Sequence, residues 1–404
     1  MNILVLTSVY PQPDYDSDLG NTPVVHYFAK EWVKIGHNVT VIHLPSKYPK
    51  LLYLLPFKWI KKITSFWGVV VPKKNQNTKI KNIKDDVIIY RIPLLRIMPR
   101  KKFSDKKVIN TFNEIKMFLK KNDFEPDIVL GHWENPQIPL LSMFKKYFKL
   151  RTALIFHGIV YINQKRYKDW AKEQISNIDV IGARSKAISK EVKDILSLNE
   201  DPFICYSGIP DKYFNSKDFK TIRFDKKVSD SYLYVGRLIA RKNVNSILLA
   251  LNGLYKNSKW IFNIIGEGIE KDNLISLKDN LNLDETVQFL GYKNRDKVLE
   301  FMKKTEVFIM ISDNETFGLV YIEAMSKGCI VIASKDSGMD GIIINGYNGF
   351  LCEQGNEQEL ECICKQIREM SLDEKVRISK NAVNTANRFK DSVVANNYLN
   401  QVLE

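Results

Sequence analysis

The sequence predicts an α/β fold of two doubly wound parallel sheets, and three observations carry that expectation. Short apolar runs alternate with helical patterns along the first half of the chain. The alternation stops at a polar, aperiodic stretch over 210–228 and then starts again. Glycine-bearing turns follow several of the apolar runs, and in such sheets ligands bind beyond the carboxyl ends of the strands. The length agrees, since 404 residues suit two domains of about 200 each.

The elements follow in order. Residues 2–7 form a first buried strand. This run has no basic leading region and is soon followed by Pro11, so it does not read as a secretory signal. Residues 23–35 form a helix with Val24, Phe28, Trp32 and Ile35 on one stripe; Gly36 ends it, and 38–43 is the next strand. Further strands are expected at 87–92, 128–131, 153–156, 180–183 and 203–206, with helical patterns such as 108–121 between them. The second series opens with a strand at 231–235 and a helix from 243. Strands follow at 260–265, 287–290, 307–311, 330–333 and near 349–351, then helices over 357–370 and 391–403. The expected organisation is a first domain over 1–209, a linker over 210–228, a second domain over 229–388, and a C-terminal helix in 389–404 that returns to the first domain. The two domains are expected to face a central cleft.

Composition narrows the function. With 45% hydrophobic and 26% charged residues the chain is ordinary globular material, which excludes disordered, collagen-like and coiled-coil classes. No apolar run reaches the ~18–20 residues of a spanning helix. The five cysteines (Cys205, Cys329, Cys352, Cys362, Cys364) are odd in number and include no C-x-x-C pair. They read as reduced cytoplasmic thiols and not as a zinc site or disulfide framework. The net charge is +15, and residues 45–107 alone hold 17 Lys or Arg against 3 Asp or Glu. An anionic partner is therefore expected at that segment, while the near-neutral remainder speaks against a nucleic-acid-binding protein.

Three constellations carry chemistry. In the first, a strand ends at Val235, Gly236 lets the chain turn, and Arg237 and Lys242 project beyond it. Two cations so placed can clamp a diphosphate, Arg as a planar fork and Lys as a point charge. In the second, Gly266 and Gly268 flank Glu267 after another strand, permitting a tight turn and close ligand approach. This is not G-x-G-x-x-G and does not follow the first strand, which counts against a nicotinamide dehydrogenase. The third runs from Ser312 to Met325: a strand, a loop with Glu315, and a helix starting around 317–318 that carries Glu323. Eight positions are about two helical turns, so the two glutamates address opposite ends of an elongated ligand. The free N–H groups near Phe317, Gly318 and Leu319 suit anionic oxygens. Asp16-Ser17-Asp18 matches a D-x-D metal motif but sits in the first loop of the first domain, so no metal is expected.

These motifs, in this order, resemble glycosyltransferase family 4, retaining nucleotide-sugar transferases of the GT-B fold. The resemblance rests on YVGRL…RKN (234–243), IIGEG (264–268), VQFLGY (287–292) and ETFGLVYIEAMSKGCIVIAS (315–334), with a fainter match at YSGIPDKYF (206–214). It is strong across the second domain and loose across the first. It implies that Arg237 and Lys242 hold the donor diphosphate, that Glu323 accepts from the ribose hydroxyls, and that Glu315 faces the donor sugar. Backbone at Phe317, Gly318 and Leu319 would hold phosphate or sugar hydroxyls, and Gly291 and Tyr292 would border the base. His157, after the strand ending at Phe156, would contact the transferring sugar. The family's glycine-rich turn after the first strand is reduced here to a single glycine, Gly20. No cofactor is implied beyond the substrate, a UDP- or GDP-linked sugar.

The basic segment adds an acceptor-side expectation. Over 51–71, Leu52, Leu55, Trp59, Ile63, Phe66 and Val70 fall on one face at helical spacing, with Lys58, Lys61 and Lys62 to the sides and opposite. That pattern, with Trp67, Lys73, Lys74 and 100–102, predicts a helix lying in a membrane surface. The expected protein is thus a cytoplasmic, metal-independent retaining glycosyltransferase, peripheral on the inner membrane face and extending a lipid-linked glycan for cell-surface polysaccharide. A GT-B-fold nucleotide-sugar 2-epimerase and a basic nucleic-acid-binding protein are the alternatives.

Overall fold

A computed structural model describes residues 1–11, 23–56, 59–60, 79–98, 100–214, 228–255 and 260–404. They form two compact units: 1–184 with 188–205 and 394–404, and 185–187 with 206–393.

The first unit contains β1 (Asn2–Thr7), α1 (Val24–Lys34), β2 (Asn38–His43), β3 (Ser46–Lys47), β4 (Ile80–Lys84), β5 (Val87–Arg91) and β6 (Leu94–Leu95). It continues with α2 (Asp105–Lys121), β7 (Ile128–His132), α3 (Gln137–Phe148), β8 (Arg151–Phe156), α4 (Lys165–Ile175), β9 (Val180–Ala183), α5 (Lys186–Leu196) and β10 (Phe203–Ile204). Its main sheet has the order β10-β9-β8-β7-β1-β2-β5-β4. The pairs are parallel except β4–β5, which is antiparallel. That hairpin departs from the all-parallel expectation. Its turn is Asp85-Asp86, both at positive φ, the geometry of a two-residue turn matched to strand twist but without the usual glycine signal. The central strands β1, β7 and β8 are buried almost throughout, as strands covered on both faces must be.

The second unit begins with β11 (Val228–Val235), α6 (Val244–Leu254), β12 (Ile261–Ile265), α7 (Lys271–Asn280), β13 (Val287–Gly291), α8 (Arg295–Lys304) and β14 (Thr305–Met310). It ends with α9 (Leu319–Ser326), β15 (Ile330–Ser334), β16 (Phe350–Cys352), α10 (Glu357–Glu369) and α11 (Leu372–Ala386). The sheet order is β13-β12-β11-β14-β15-β16, with parallel pairing throughout. Helix α11 was not expected from the sequence. Its start is set by a full capping box, in which the Ser371 hydroxyl and Glu374 carboxylate exchange bonds with each other's backbone.

The last helix, α12 (Asp391–Leu403), has residues 394–403 in the first unit. There Tyr398 is buried against Phe28, Trp32 and His132, and Trp32 Nε1 donates to the Ala395 carbonyl at 2.9 Å. Residues 206–209 and 389–393 belong to the second unit, tied by backbone bonds between Ile209 and Phe389 and between Asp391 and Ile209.

The amphipathic helix expected over 51–71 is not formed over 51–56, whereas Trp59 and Ile60 are helical, Ile60 N donating to the Pro56 carbonyl at 3.2 Å. Residues Lys50–Leu54 make a 3-10 turn, and Leu55 is extended because the ring of Pro56 disfavours a helical residue before it. The predicted single face also divides. Leu52 packs on Tyr48 and Ile60, whereas Leu51, Leu54, Leu55 and Trp59 are exposed. Ile63, Phe66, Trp67 and Val70, like Lys58, Lys61 and Lys62, lie outside the described residues. Tyr398→Ala should destabilise the first unit by about 3–5 kcal/mol, the cost of emptying a large buried aromatic site, as read by chemical denaturation.

Candidate active site

The glycine turns after β11, β12 and β13 interlock. Gly236 N donates to the Ile265 carbonyl, Leu238 N to Glu267, Glu270 N to Leu238 and Gly266 N to Gly291, each at 3.0 Å. A Cβ on Gly266 would lie 1.8 Å from the Gly236 carbonyl oxygen, and one on Gly268 would lie 2.0 Å from that of Leu238. Two backbones approach so closely there that a side chain has no room. Gly291 sits at positive φ, and Tyr292 beyond it is exposed. The Tyr234 hydroxyl donates to the Arg237 carbonyl at 3.0 Å, fixing the turn from which the exposed Arg237 side chain projects.

Lys242 is 7% exposed and pairs with the Glu315 carboxylate. The chain is bent to make this contact. Asn243, at positive φ, donates through Nδ2 to the Ile311 carbonyl and to Asp313 Oδ1, and Asp313 N donates to the Arg241 carbonyl. Arg241 Nη1 lies 3.9 Å from the same Glu315 oxygen. Burial pushes the Lys242 ammonium down from its ordinary pKa, and Glu315 opposes that push. Glu315 is clamped from β15's far loop: its N–H donates to Ser337 Oγ at 3.0 Å, and Gly338 N donates to its carbonyl at 2.8 Å. A Cβ on Gly338 would come within 2.4 Å of Phe317 Cα.

Gly318, at positive φ, leads into α9, whose first turn presents the amides of Leu319 and Val320. Phe317 turns its ring inward onto Tyr206 and Phe389. Glu323, about one turn along α9, is 1% exposed and bonded by Arg295. Burial raises its carboxyl to about 7, with Arg295 opposing. The second unit therefore assembles Gly236, Arg237, Lys242, Gly266, Gly268, Glu315, Gly318 and Glu323 along the carboxyl edge of one sheet.

His157 lies in the first unit, just past β8. Its Nε2 is 3.0 Å from His132 Nδ1, and its ring stacks on Trp133 with centroids 3.8 Å apart. Burial, then the Arg184 charge and His132, hold its pKa well below the usual imidazole value. It is a neutral imidazole, able to hydrogen-bond a hydroxyl but not to act as a cation. Trp133 takes a positive φ to make the stack, and Glu134 receives the amides of Tyr161 and Ile162, fixing the loop beyond His157. Gly20 and Asp16 to Asp18 fall outside the described residues.

Sequence reading missed Arg241, Arg295, Ser337 and Gly338. Of these only the Ser337-Gly338 pair carried a signal, a turn dipeptide directly after a strand of a parallel sheet.

Two α/β units built on largely parallel sheets make this a GT-B fold. Residues 217–385 match the family of glycosyl transferases group 1. It is 27% identical over 298 residues to an uncharacterized glycosyltransferase of Methanocaldococcus jannaschii, covering 72% of this chain and 77% of that one. It is 31% identical over 192 residues to an N-acetylgalactosamine-N,N'-diacetylbacillosaminyl-diphospho-undecaprenol 4-alpha-N-acetylgalactosaminyltransferase of Campylobacter jejuni, about half of each chain (47% and 50%). Among solved structures, a sucrose-phosphate synthase from Thermosynechococcus elongatus superposes with a TM-score of 0.73 at 17% identity, covering 99% of this chain and 98% of that one. Anabaena HepE in complex with UDP gives 0.69 at 16% identity, covering 100% and 99%.

Gly266→Ala should part the two interlocked turns. We expect at least about a tenfold loss of nucleoside diphosphate affinity by calorimetry, since a backbone clash cannot be relieved by a rotamer change.

Proposed function

We propose that this glycosyltransferase moves a sugar from a nucleotide diphosphate sugar to a lipid-linked glycan, with retention of configuration and without a metal, in cell-surface polysaccharide synthesis. The observation that carries the reading is the placement of Arg237, Lys242 and the start of α9 on one sheet edge with Glu315 among them. A departing diphosphate gains negative charge as the glycosidic bond breaks. Fixed cations and helix amides stabilise that charge without reorganising. Lys242, held by Glu315, would share its ammonium with the diphosphate, and Glu315 would then be free to bond a donor-sugar hydroxyl. Glu323 would accept from the ribose hydroxyls. His157, neutral, would bond a sugar hydroxyl. The acceptor hydroxyl attacks from the face of the leaving group, whose oxygen takes its proton. The complex of HepE with UDP supports the donor class, and UDP or GDP sugars are the candidates.

The lipid-linked acceptor rests on two further observations. The Campylobacter relative is named for a diphospho-undecaprenol substrate. In the first unit, β3 pairs with β6, so the segments around 48–56 and 96–98 leave the same small ribbon. They expose Leu51, Leu54, Leu55, Ile97 and Met98, close in sequence to Lys50, Arg100 and Lys101. Apolar tips beside cations suit an anionic bilayer surface, worth ~1 kcal/mol per engaged Lys or Arg. Among the described residues no helix is long and apolar enough to cross a membrane, and the proposed attachment is peripheral to the inner face of the cell membrane.

The product anomer, read by NMR, should keep the donor's configuration; an inverted linkage contradicts retention. Arg237→Ala should lower kcat about 100-fold, because its partner gains charge in the transition state, with a smaller change in donor affinity. Replacing Lys58, Lys61 and Lys62 by Glu should release the protein from anionic vesicles in a sedimentation assay at physiological salt and leave donor binding intact. Unchanged sedimentation contradicts the membrane reading.

A further inference from the structure

Arg295 breaks a local rule. It is the first residue of α8, directly after the Asn294 cap, whose Oδ1 accepts from Lys297 N at 3.0 Å. The helix dipole favours anions in that turn and disfavours a cation. Asp296 beside it obeys the rule and Arg295 does not. Its guanidinium instead reaches across to α9, where Nη1 lies 2.5 Å from Glu323 Oε2. The pair is lopsided: the Glu323 side chain is 1% exposed and that of Arg295 is 42% exposed. Among the described residues no other group donates to that carboxylate, so Oε1 keeps its lone pairs for a ligand.

We infer that Arg295 is a positioning residue for the donor: it keeps the buried Glu323 carboxylate ionised and aimed, so that the free oxygen can receive the donor's ribose hydroxyls. This rests on the proposed ribose role of Glu323. An isolated carboxylate at this depth would take up a proton, and a protonated carboxyl is a poorer acceptor. Burial already raises Glu323 to about 7, and the Arg295 charge is what opposes it. The other groups facing the pair are Asp296 on α8 and Tyr213 on the Asp211–Tyr213 turn, near which Asp391 also lies. Lys327, after α9, engages the Tyr213 carbonyl through Nζ at 2.5 Å. The sign follows. A folded-state pKa raised above the ordinary carboxylate value means the ionised form is lost as pH falls, and removing Arg295 moves that loss to higher pH.

The test is the Kd of the full chain for uridine or guanosine diphosphate, whichever the wild type binds more tightly, by calorimetry from about pH 6.5 to about pH 8.5. Ratios to wild type cancel titration of the diphosphate itself. Arg295→Met should weaken binding about tenfold at the low end and under about threefold at the high end, one pKa unit being a factor of ten in the ionised fraction. Arg295→Lys should recover most of the loss. Glu323→Gln, nearly isosteric, should be weak at every pH, and adding Arg295→Met to it should cost nothing more. If Arg295→Met parallels wild type at every pH while Glu323→Gln binds weakly, the positioning role is wrong and the ribose role stands. If Glu323→Gln binds like wild type, the ribose role fails and the inference about Arg295 fails with it.

Discussion

The second unit depends on one buried ion pair, Lys242 with Glu315. A lysine 7% exposed is costly unless its charge is met, and a half-met pair is worse than none. The surrounding chain is organised around that demand. Asn243 accepts a left-handed backbone to tie the 240–243 turn to the loop after β14. Ser337 and Gly338 hold Glu315 from the other side. In the proposed function the pair would be the first contact of a donor. A diphosphate offers the lysine a second anion, and the sugar offers the glutamate hydroxyls, so one bound molecule satisfies both ends.

The glycine turns serve the same edge. Three strands deliver their carboxyl ends to one place only because Gly266 and Gly268 let backbone touch backbone. Side chains there would push the turns apart and move Arg237, which hangs from the first of them. The first unit solves a different problem. Near its strand ends lie two imidazoles, His132 and His157, whose pKa is lowered by burial and by the Arg184 charge. They are braced by the Trp133 stack and by Tyr398 from α12.

Most of the second unit was legible because its chemistry is local in sequence. Gly236-Arg237, Gly266-Glu267-Gly268 and the run from Glu315 to Glu323 each follow a strand whose apolar character is plain, and the observed elements start within three residues of the expected ones. What stayed hidden is tertiary. Arg295 reads as an ordinary surface cation until α8 is laid beside α9. The Asp85-Asp86 hairpin lacks the glycine that signals such turns, so β4 was not foreseen. The amphipathic reading of 51–71 rests on periodicity, and the structure replaces its first turn with a 3-10 segment that exposes apolar tips. Charge still marks that region as distinct, since 45–107 holds nearly the whole excess of Lys and Arg.

The central claim is that the carboxyl edge of the second sheet is a diphosphate site. The most direct measurement is a thermal-shift series of the full chain with UDP and GDP beside uridine and guanosine at equal concentration. A ligand that binds only the folded state stabilises it by mass action, about 2.7 kcal/mol at a hundred times its Kd. The account predicts that a nucleoside diphosphate raises Tm by several degrees, that its nucleoside raises it little, and that Lys242→Met removes the difference. Equal shifts from diphosphate and nucleoside, or none from either diphosphate, would contradict it.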